Sequence, residues 1–170
     1  MYDSIGKKTY SNIKKEFGGI LSGKWTPFEN LHITLKFLGN VEDEMVDTIK
    51  QTLSDILDRE FSANLVFKGF SAFPNINNPK VFFIEVFDED GQLESLHNTI
   101  ESKLESLGFE RENRQYHPHI TLKRPKEVDM YSFLNKIKDT KNQTYGTAKK
   151  IKVRLIESIP TPEGAIYKII

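Results

Sequence analysis

One pentapeptide, His-Ile-Thr-Leu-Lys, occurs twice in this chain of 170 residues, first at positions 32–36 and again at positions 119–123. Each copy lies in a run of alternating polar and apolar residues, a pattern that favours a β-strand. Each copy is followed, after a polar turn, by residues with the apolar periodicity of an amphipathic helix. An internal repeat of this kind predicts a fold that contains two related halves.

The remainder of the chain alternates between helical and strand patterns. Apolar periodicity predicts helices over residues 4–17, 42–59, 93–107 and 130–137. Alternating or β-rich runs predict strands over residues 30–38, 63–73, 80–87, 117–123, 150–159 and 165–170. Strands 63–73 and 80–87 should pair as a hairpin, because the segment 74–79 between them is rich in turn formers. Interspersed helices and hairpins predict an α+β fold rather than a purely parallel sheet.

The repeat also predicts which side chains share a face. Side chains alternate across a strand, so His32 and Thr34 should lie on one face, and His119 and Thr121 on the matching face of the second copy. Two such strands side by side would present two imidazoles and two hydroxyls to one cleft. One imidazole could take a proton from water while the other protonates a leaving oxygen, and the hydroxyls could donate to phosphate oxygens. This set suits phosphodiester cleavage without a metal.

A purely structural origin of the repeat is the alternative. A single His-x-Thr on a strand is usually structural, because threonine is β-branched and favours strands. Core packing explains why the isoleucine and leucine recur, since they face the interior, but it gives no reason for histidine and threonine to recur on the opposite face. The second identical copy therefore favours a functional role.

Composition narrows the chemistry and the partners. The chain has no cysteine, which excludes disulfides, thiolate metal sites and a cysteine nucleophile. The formal net charge is +0, so the chain lacks the global basic field of a protein that coats nucleic acid, and any contact with RNA should be local. No apolar leader or membrane-spanning stretch is evident, so the chain is predicted to be cytoplasmic, with no membrane partner.

Two further histidines have competing interpretations. His117 lies two residues before His119, which makes a His-x-His metal pair conceivable, but Pro118 separates them and no adjacent cysteine or carboxylate completes a ligand set. His97 lies in the third predicted helix, near the edge of its apolar stripe, where a structural or surface role is expected rather than metal ligation.

Basic and aromatic residues near the repeat could contribute to binding. Lys123, Arg124 and Lys126 form a local basic cluster beside the second copy that could hold RNA phosphates, although such clusters are usually solvated. Three aromatic residues could stack on bases, although aromatic residues near strands more often belong to the core: Trp25, Phe37 and Tyr116.

The two copies and their flanks resemble the 2H phosphoesterases, which are defined by two His-x-Ser/Thr-hydrophobic motifs. Within them, residues 30–39 and 118–124 are similar to the first and second blocks of the RNA 2′,3′-cyclic phosphodiesterases, historically called 2′-5′ RNA ligases. Residues 69–74, 157–158 and 164–167 extend the similarity, which covers the chain from about Trp25 to its C-terminus.

The resemblance implies a single bilobal domain over residues 1–170, with two pseudo-symmetric antiparallel sheets and outer helices around a central cleft. It implies hydrolysis of a terminal RNA 2′,3′-cyclic phosphate to a 2′-phosphate and a weak reverse ligation. The chain is also predicted to need no cofactor or metal and to be a monomer. His32 would be the general acid and His119 the general base. Thr34 and Thr121 would bind the phosphate oxygens, and Arg124 would contact the phosphate or the nucleotide.

One departure from the family pattern and two alternative functions stay open. Family members usually begin with an apolar strand, which residues 1–7 cannot supply, so either the first lobe lacks an edge strand or the chain begins downstream of the usual start. Either explanation predicts an exposed sheet edge and a less complete cleft wall. The alternatives are a nucleotide-binding module without turnover and another 2H phosphodiesterase activity.

Overall fold

The computed structural model describes residues 5–161 and 165–170. Its four α-helices are α1 (Lys7–Phe17), α2 (Asp43–Thr52), α3 (Gln92–Glu105) and α4 (Met130–Thr140), and a 3₁₀ helix spans Phe28–Asn30. Its strands are β1 (Glu60–Asn75), β2 (Asn78–Asp88), β3 (His119–Lys123), β4 (Thr144–Lys152), β5 (Ile156–Ile159) and β6 (Ile166–Ile169). None of the helices in this part of the chain is long and apolar enough to cross a bilayer.

The pairings between these six strands are antiparallel and form two sheets. The larger sheet has the order β3-β2-β1-β4, and the smaller one pairs β5 with β6. The β1–β2 hairpin confirms the predicted pairing of strands 63–73 and 80–87. Both strands extend further into the predicted loop, because the Asn75 side chain accepts hydrogen bonds from the backbone N–H groups of Asn77 and Asn78 and closes a tight turn.

The central sheet is curled by bulges in its longest strand. The β1–β2 register shifts between Phe67 and Phe70, and Gly69 adopts a left-handed φ of 69° at that point. The Gly69 amide donates to the carbonyl of Gln143, which leads into β4. A Cβ at position 69 would lie 2.8 Å from the carbonyl oxygen of Lys141, so only glycine allows the two backbone segments to approach this closely.

Two clusters of buried apolar residues lie behind these elements. The larger cluster packs α1 and α4 on the four-stranded sheet, with Phe17, Phe82 and Phe133 fully buried. The smaller cluster packs α2 against α3 and includes Ile49 and Leu104. Each cluster is thus covered mainly by its own pair of helices, which buries the apolar face of each helix against a separate part of the core.

The sequence prediction of a strand over residues 30–38 is wrong. Phe28–Asn30 form a 3₁₀ helix, and the extended segment that follows makes a single bridge, between Ile33 and Ile120. An alternating pattern fixes only an extended backbone, whereas a strand also needs a partner that continues the ladder. The expected pair of pseudo-symmetric sheets is corrected accordingly: within the described residues, one sheet has four strands and the other has two.

Two other predicted elements have different boundaries. The helix predicted over 42–59 ends at Thr52, because Leu53 leaves helical geometry and Asp58 has a positive φ of 59°, although Leu53 and Ile56 remain buried. The strand predicted over 150–159 is two strands, the end of β4 and β5. Most of β4 was missed, because only Tyr145 and Ala148 of its first residues are buried and the rest are polar or exposed.

The first helix is shorter at its N-terminus than the sequence pattern predicts. The predicted start of the first helix at Ser4, and most of the segment expected to lack a strand, lie outside the described residues; α1 begins at Lys7 and ends at the predicted Phe17. The remaining helices agree with prediction, with α4 continuing to Thr140 beyond the expected residue 137.

Candidate active site

The two copies of the pentapeptide lie next to each other in antiparallel orientation. The bridge between Ile33 and Ile120 joins the second residue of one copy to the second residue of the other. Ile120 is buried and Ile33 packs against the same cluster, so the apolar face of each copy is directed to the core. The alternation of side chains then leaves His32 and His119 on the opposite face, as the sequence predicts.

His119 begins β3, and two aromatic rings lie against one side of its imidazole. β3 pairs with β2, and Glu85 is the β2 residue opposite His119. The His119 ring lies 5.0 Å from the Phe73 ring in an edge-to-face arrangement and 4.9 Å from the Phe83 ring, measured between centroids. These rings on the β1–β2 hairpin remove water from one side of the half-buried imidazole.

His32 occupies a related position in the other half. It follows the 3₁₀ helix and lies 5.1 Å from the ring of Tyr167 on β6, again edge to face. The Asn30 side chain donates a hydrogen bond of 3.4 Å to the carbonyl of Ala165, just before β6. Tyr167 of the β5–β6 pair therefore lies against His32 in the same way as Phe73 lies against His119.

Each histidine is oriented by the same backbone device. His32 Nδ1 lies 2.7 Å from the carbonyl oxygen of Asn30, and His119 Nδ1 lies 2.7 Å from the carbonyl oxygen of His117. Because a carbonyl oxygen can only accept, Nδ1 carries a hydrogen in both rings. Nε2 is then the nitrogen that can accept a proton in a neutral ring or donate one in a charged ring.

The surroundings of His119 favour its neutral form. Burial lowers the pKa of His119 below its usual value of 6.5. The hydrogen bond to the His117 carbonyl opposes this shift, whereas electrostatic interactions with His117, His32 and Arg124 lower the pKa further. A neutral imidazole at neutral pH can accept a proton, so His119 is suited to act as a base.

The other predicted site residues lie beside the two histidines. Thr34 and Thr121 are half-buried, and within the described part of the chain their hydroxyls donate to no other residue. Arg124 is exposed immediately after β3, close enough for its charge to act on His119. The Ile33–Ile120 bridge therefore brings the two motifs together, and the charges of His32 and Arg124 both act on His119.

The lysine that ends each copy is structural rather than anion-binding. Lys123 is 3% exposed, donates a 2.7 Å hydrogen bond to the carbonyl of Leu21 and lies 4.5 Å above the Trp25 ring. It does not belong to the predicted basic cluster, which is reduced to Arg124 and Lys126. Lys36 forms a buried ion pair with Glu101, at 2.8 Å.

Two residues of unassigned role contact the backbone of the first copy. His97 is buried, as a structural role requires, and its Nδ1 lies 2.8 Å from the carbonyl oxygen of Leu35. Tyr116 stacks on His97 at 4.3 Å and donates from its hydroxyl to the carbonyl of Thr34 at 3.1 Å. Tyr116 is one of the three aromatic residues predicted as possible partners for base stacking, but one face of its ring is covered by His97. The sequence of α3 carries a signal for such a structural role, because the polar residues His97 and Glu101 lie one turn apart beside its apolar stripe.

The predicted alternative of a His-x-His metal pair can be compared with the positions of the described side chains. The ring centroids of His117 and His119 are 6.3 Å apart, and the nearest carboxylate to His117 is that of Glu85, at 3.9 Å. Among residues 5–161 and 165–170, no three histidine or acidic side chains are grouped so that they could hold a metal ion. The His-x-His alternative therefore lacks further ligands.

Comparison with known sequences decides the family. The sequence profile of the 2′-5′ RNA ligase superfamily matches residues 13–154. The chain belongs to this superfamily. The resemblance inferred from the two His-x-Thr motifs is thereby confirmed.

Several relatives of this superfamily member carry the name RNA 2′,3′-cyclic phosphodiesterase. The protein from Archaeoglobus fulgidus is 37% identical over 166 residues, which cover 98% of this chain and 91% of the relative. The protein from Methanocaldococcus jannaschii is 35% identical and the one from Aeropyrum pernix 33%, over 84% and 82% of this chain and 79% of each relative.

Solved structures support the fold of this superfamily member. TT0787 of Thermus thermophilus matches with a TM-score of 0.70 at 21% identity, over 95% of this chain and 87% of the other. E. coli LigT complexed with 3′-AMP matches with a TM-score of 0.67 at 21% identity, over 99% and 91%. The shared feature is an α+β fold with a curled antiparallel sheet.

Proposed function

We propose that the protein hydrolyses the 2′,3′-cyclic phosphate at an RNA end to a 2′-phosphate, by acid–base catalysis with His32 and His119. One observation carries the proposal: the Ile33–Ile120 bridge brings two histidines together, each with Nδ1 on the carbonyl two residues earlier. The relatives named RNA 2′,3′-cyclic phosphodiesterase support this substrate.

In the proposed reaction, water attacks phosphorus and the bond from phosphorus to the 3′ oxygen breaks. His119 Nε2 accepts a proton from the attacking water, and protonated His32 donates one from Nε2 to the departing 3′ oxygen. Thr34 and Thr121 donate to the non-bridging oxygens, where negative charge increases in the transition state. Arg124 adds positive charge at the same oxygens or contacts the nucleotide. The lowered pKa of His119 supports its role as the base.

A binding module without turnover is the second candidate. The observation that favours it is the single bridge of the first motif, which leaves His32 on a segment outside any sheet ladder. A protein of this kind would bind the nucleotide through the threonines and Arg124 but leave the cyclic phosphate intact.

The two candidates are separated by one assay. The purified chain is incubated in EDTA with an oligonucleotide ending in a 2′,3′-cyclic phosphate, and the product is identified by ³¹P NMR. Wild type is expected to release a 2′-phosphate end, and His32→Ala and His119→Ala to lose at least about 100-fold in rate, since general acid–base catalysis contributes that much per group. An unchanged end together with nucleotide binding would establish the binding module instead.

His117→Ala is the matched control. It removes an imidazole two residues from His119 but keeps the backbone carbonyl that orients His119. Turnover at neutral pH should be retained. Loss of turnover in this variant, together with inhibition by EDTA, would point to a His-x-His metal pair instead.

The direction of proton transfer has its own test. A substrate with sulfur in place of the bridging 3′ oxygen has a leaving group that needs no proton. This substrate should restore turnover to His32→Ala but not to His119→Ala. Restoration of His119→Ala alone would reverse the assignment of acid and base.

A further inference from the structure

The first His-x-Thr motif lacks the backbone support that the second one has. Four residues of β3 have partners in β2, including both His119 and Thr121. The first motif has one bridge, at Ile33, so the carbonyl groups that follow it are not paired in a ladder. Partly buried carbonyl groups need hydrogen-bond donors from elsewhere.

Those donors are side chains from α3 and from the segment between α3 and β3. The Thr34 carbonyl accepts from the Tyr116 hydroxyl at 3.1 Å, and the next carbonyl, that of Leu35, accepts from His97 Nδ1 at 2.8 Å. The rings of Tyr116 and His97 are stacked with an interplanar angle of 8° and centroids 4.3 Å apart. The stack therefore holds the two donor rings against each other, and they donate to the carbonyl groups of consecutive residues.

A third contact extends this support by one residue. Lys36 Nζ donates to both carboxylate oxygens of Glu101, at 2.8 and 2.9 Å, and to the carbonyl of Glu110 at 2.9 Å. Glu101 lies one helical turn after His97 on α3 and also accepts from the Glu112 amide. Both α3 residues are buried, with His97 7% and Glu101 2% exposed.

We propose that His97, Tyr116 and Glu101 are positioning residues that hold the first motif in register with the second, in place of a sheet ladder. This inference rests on the proposed function, in which Thr34 binds phosphate and His32 is the acid. The three residues contact the backbone or the lysine of the motif, and act on the reaction through His32 and Thr34. Their effect should therefore be confined to the first motif, since the β2–β3 ladder holds the second one.

Tyr116→Phe and His97→Phe test the role with small changes. The first removes one hydroxyl and keeps the ring, and the second keeps the stack but loses the donor. Because displacement of a catalytic group costs up to about 100-fold, kcat should fall by about 10- to 100-fold, with KM little changed. His97→Asn, whose amide can donate where Nδ1 does, should recover most of the loss seen in His97→Phe.

Thr99→Val is the matched control for Tyr116→Phe. It also removes one hydroxyl, whose 2.9 Å hydrogen bond to the Ser95 carbonyl lies on the exposed face of α3. This variant should keep the kcat of wild type. Equal losses in Thr99→Val and Tyr116→Phe would indicate general destabilisation and overturn the positioning role, as would a wild-type kcat in Tyr116→Phe.

A spectroscopic measurement separates this inference from the proposed function. Long-range ¹H–¹⁵N spectra of the histidine rings should show shifted His32 signals in Tyr116→Phe and His97→Phe, and unshifted His119 signals. A wild type without turnover refutes the proposed function, yet the ring signals still test the positioning role. Unchanged His32 signals, or equal changes at both histidines, would overturn it; thermal unfolding of each variant verifies that it is folded.

Discussion

Replacing Glu101 by leucine should strongly destabilise the protein, because it removes the partner of a buried charge. The side chains of Lys36 and Glu101 are 7% and 3% exposed, and their closest charged atoms are 2.8 Å apart. In the variant, the Lys36 ammonium keeps a hydrogen bond to the carbonyl of Glu110 but has no carboxylate partner left among the described residues. An uncompensated buried charge of this kind typically costs about 3–5 kcal/mol.

The double variant Lys36→Met/Glu101→Leu should be much more stable than either single variant. Two apolar side chains of similar volume replace the pair, so no charge is left buried. The carbonyl of Glu110 and the amide of Glu112 lose partners, but both residues are exposed and water can replace the lost contacts. The expected cost relative to wild type is about 1 kcal/mol.

Urea unfolding is the appropriate assay, because urea does not screen charges. With an m-value of about 2 kcal/mol/M, the single variants should lower the midpoint by about 2 M and the double variant by about 0.5 M. Single variants that cost less than about 1 kcal/mol would show that the pair is solvated. A double variant as unstable as Glu101→Leu would show that packing, rather than the unpaired charge, causes the loss.

Three further predictions concern the pH dependence, the bulge and an exposed aromatic residue. Burial and nearby positive charge lower the pKa of His119, and the base must be neutral, so the acid limb of the pH profile of kcat/KM should lie below pH 6.5. Arg124→Met should move this limb to higher pH, because it removes a positive charge, and Arg124→Lys should leave it in place. A shift to lower pH in Arg124→Met would contradict this account. Gly69→Ala should lower the free energy of unfolding in urea by at least about 1–2 kcal/mol, because alanine is strained at a φ of 69° and its Cβ would contact the carbonyl oxygen of Lys141. An unchanged unfolding midpoint would show that the bulge adapts. Phe37 is 80% exposed, so Phe37→Ala should leave the unfolding midpoint unchanged, and if the ring stacks on a base it should raise KM by at least about fivefold. Tyr131→Ala, at a residue 82% exposed on α4, is its control, and equal KM values for both variants would exclude stacking by Phe37.

Much of the site could be predicted from the sequence because the histidines and threonines that would carry its chemistry lie in a repeated pentapeptide. The side-chain alternation around Ile120 and Leu122 follows from strand geometry alone, and both residues are buried as predicted. The apolar stripe of α3 and the β1–β2 hairpin are likewise local patterns with strong turn or helix signals. Local periodicity succeeds in these elements because the tertiary structure uses the faces that it defines.

The sequence could not show how the first motif is supported. Residues 30–38 have the same alternation as residues 117–123, yet only β3 has a ladder partner, because strand formation depends on a neighbour that is distant in sequence. The contacts from His97, Tyr116 and Glu101 join positions 62 to 82 residues apart. The spacing of residues 97 and 101 marks a polar position beside the apolar stripe of α3, but no local pattern identifies the residues that they contact.

By itself, the sequence determined that this chain carries two His-x-Thr motifs with apolar residues behind them, and hence the family to which it belongs. Only the tertiary structure decided that the motifs are adjacent and antiparallel, that both histidines are oriented through Nδ1, and that His119 lies against two aromatic rings and near Arg124. The physical reason is range: alternation along a strand is fixed by backbone geometry within a few residues, whereas orientation, burial and pKa depend on groups that folding brings together.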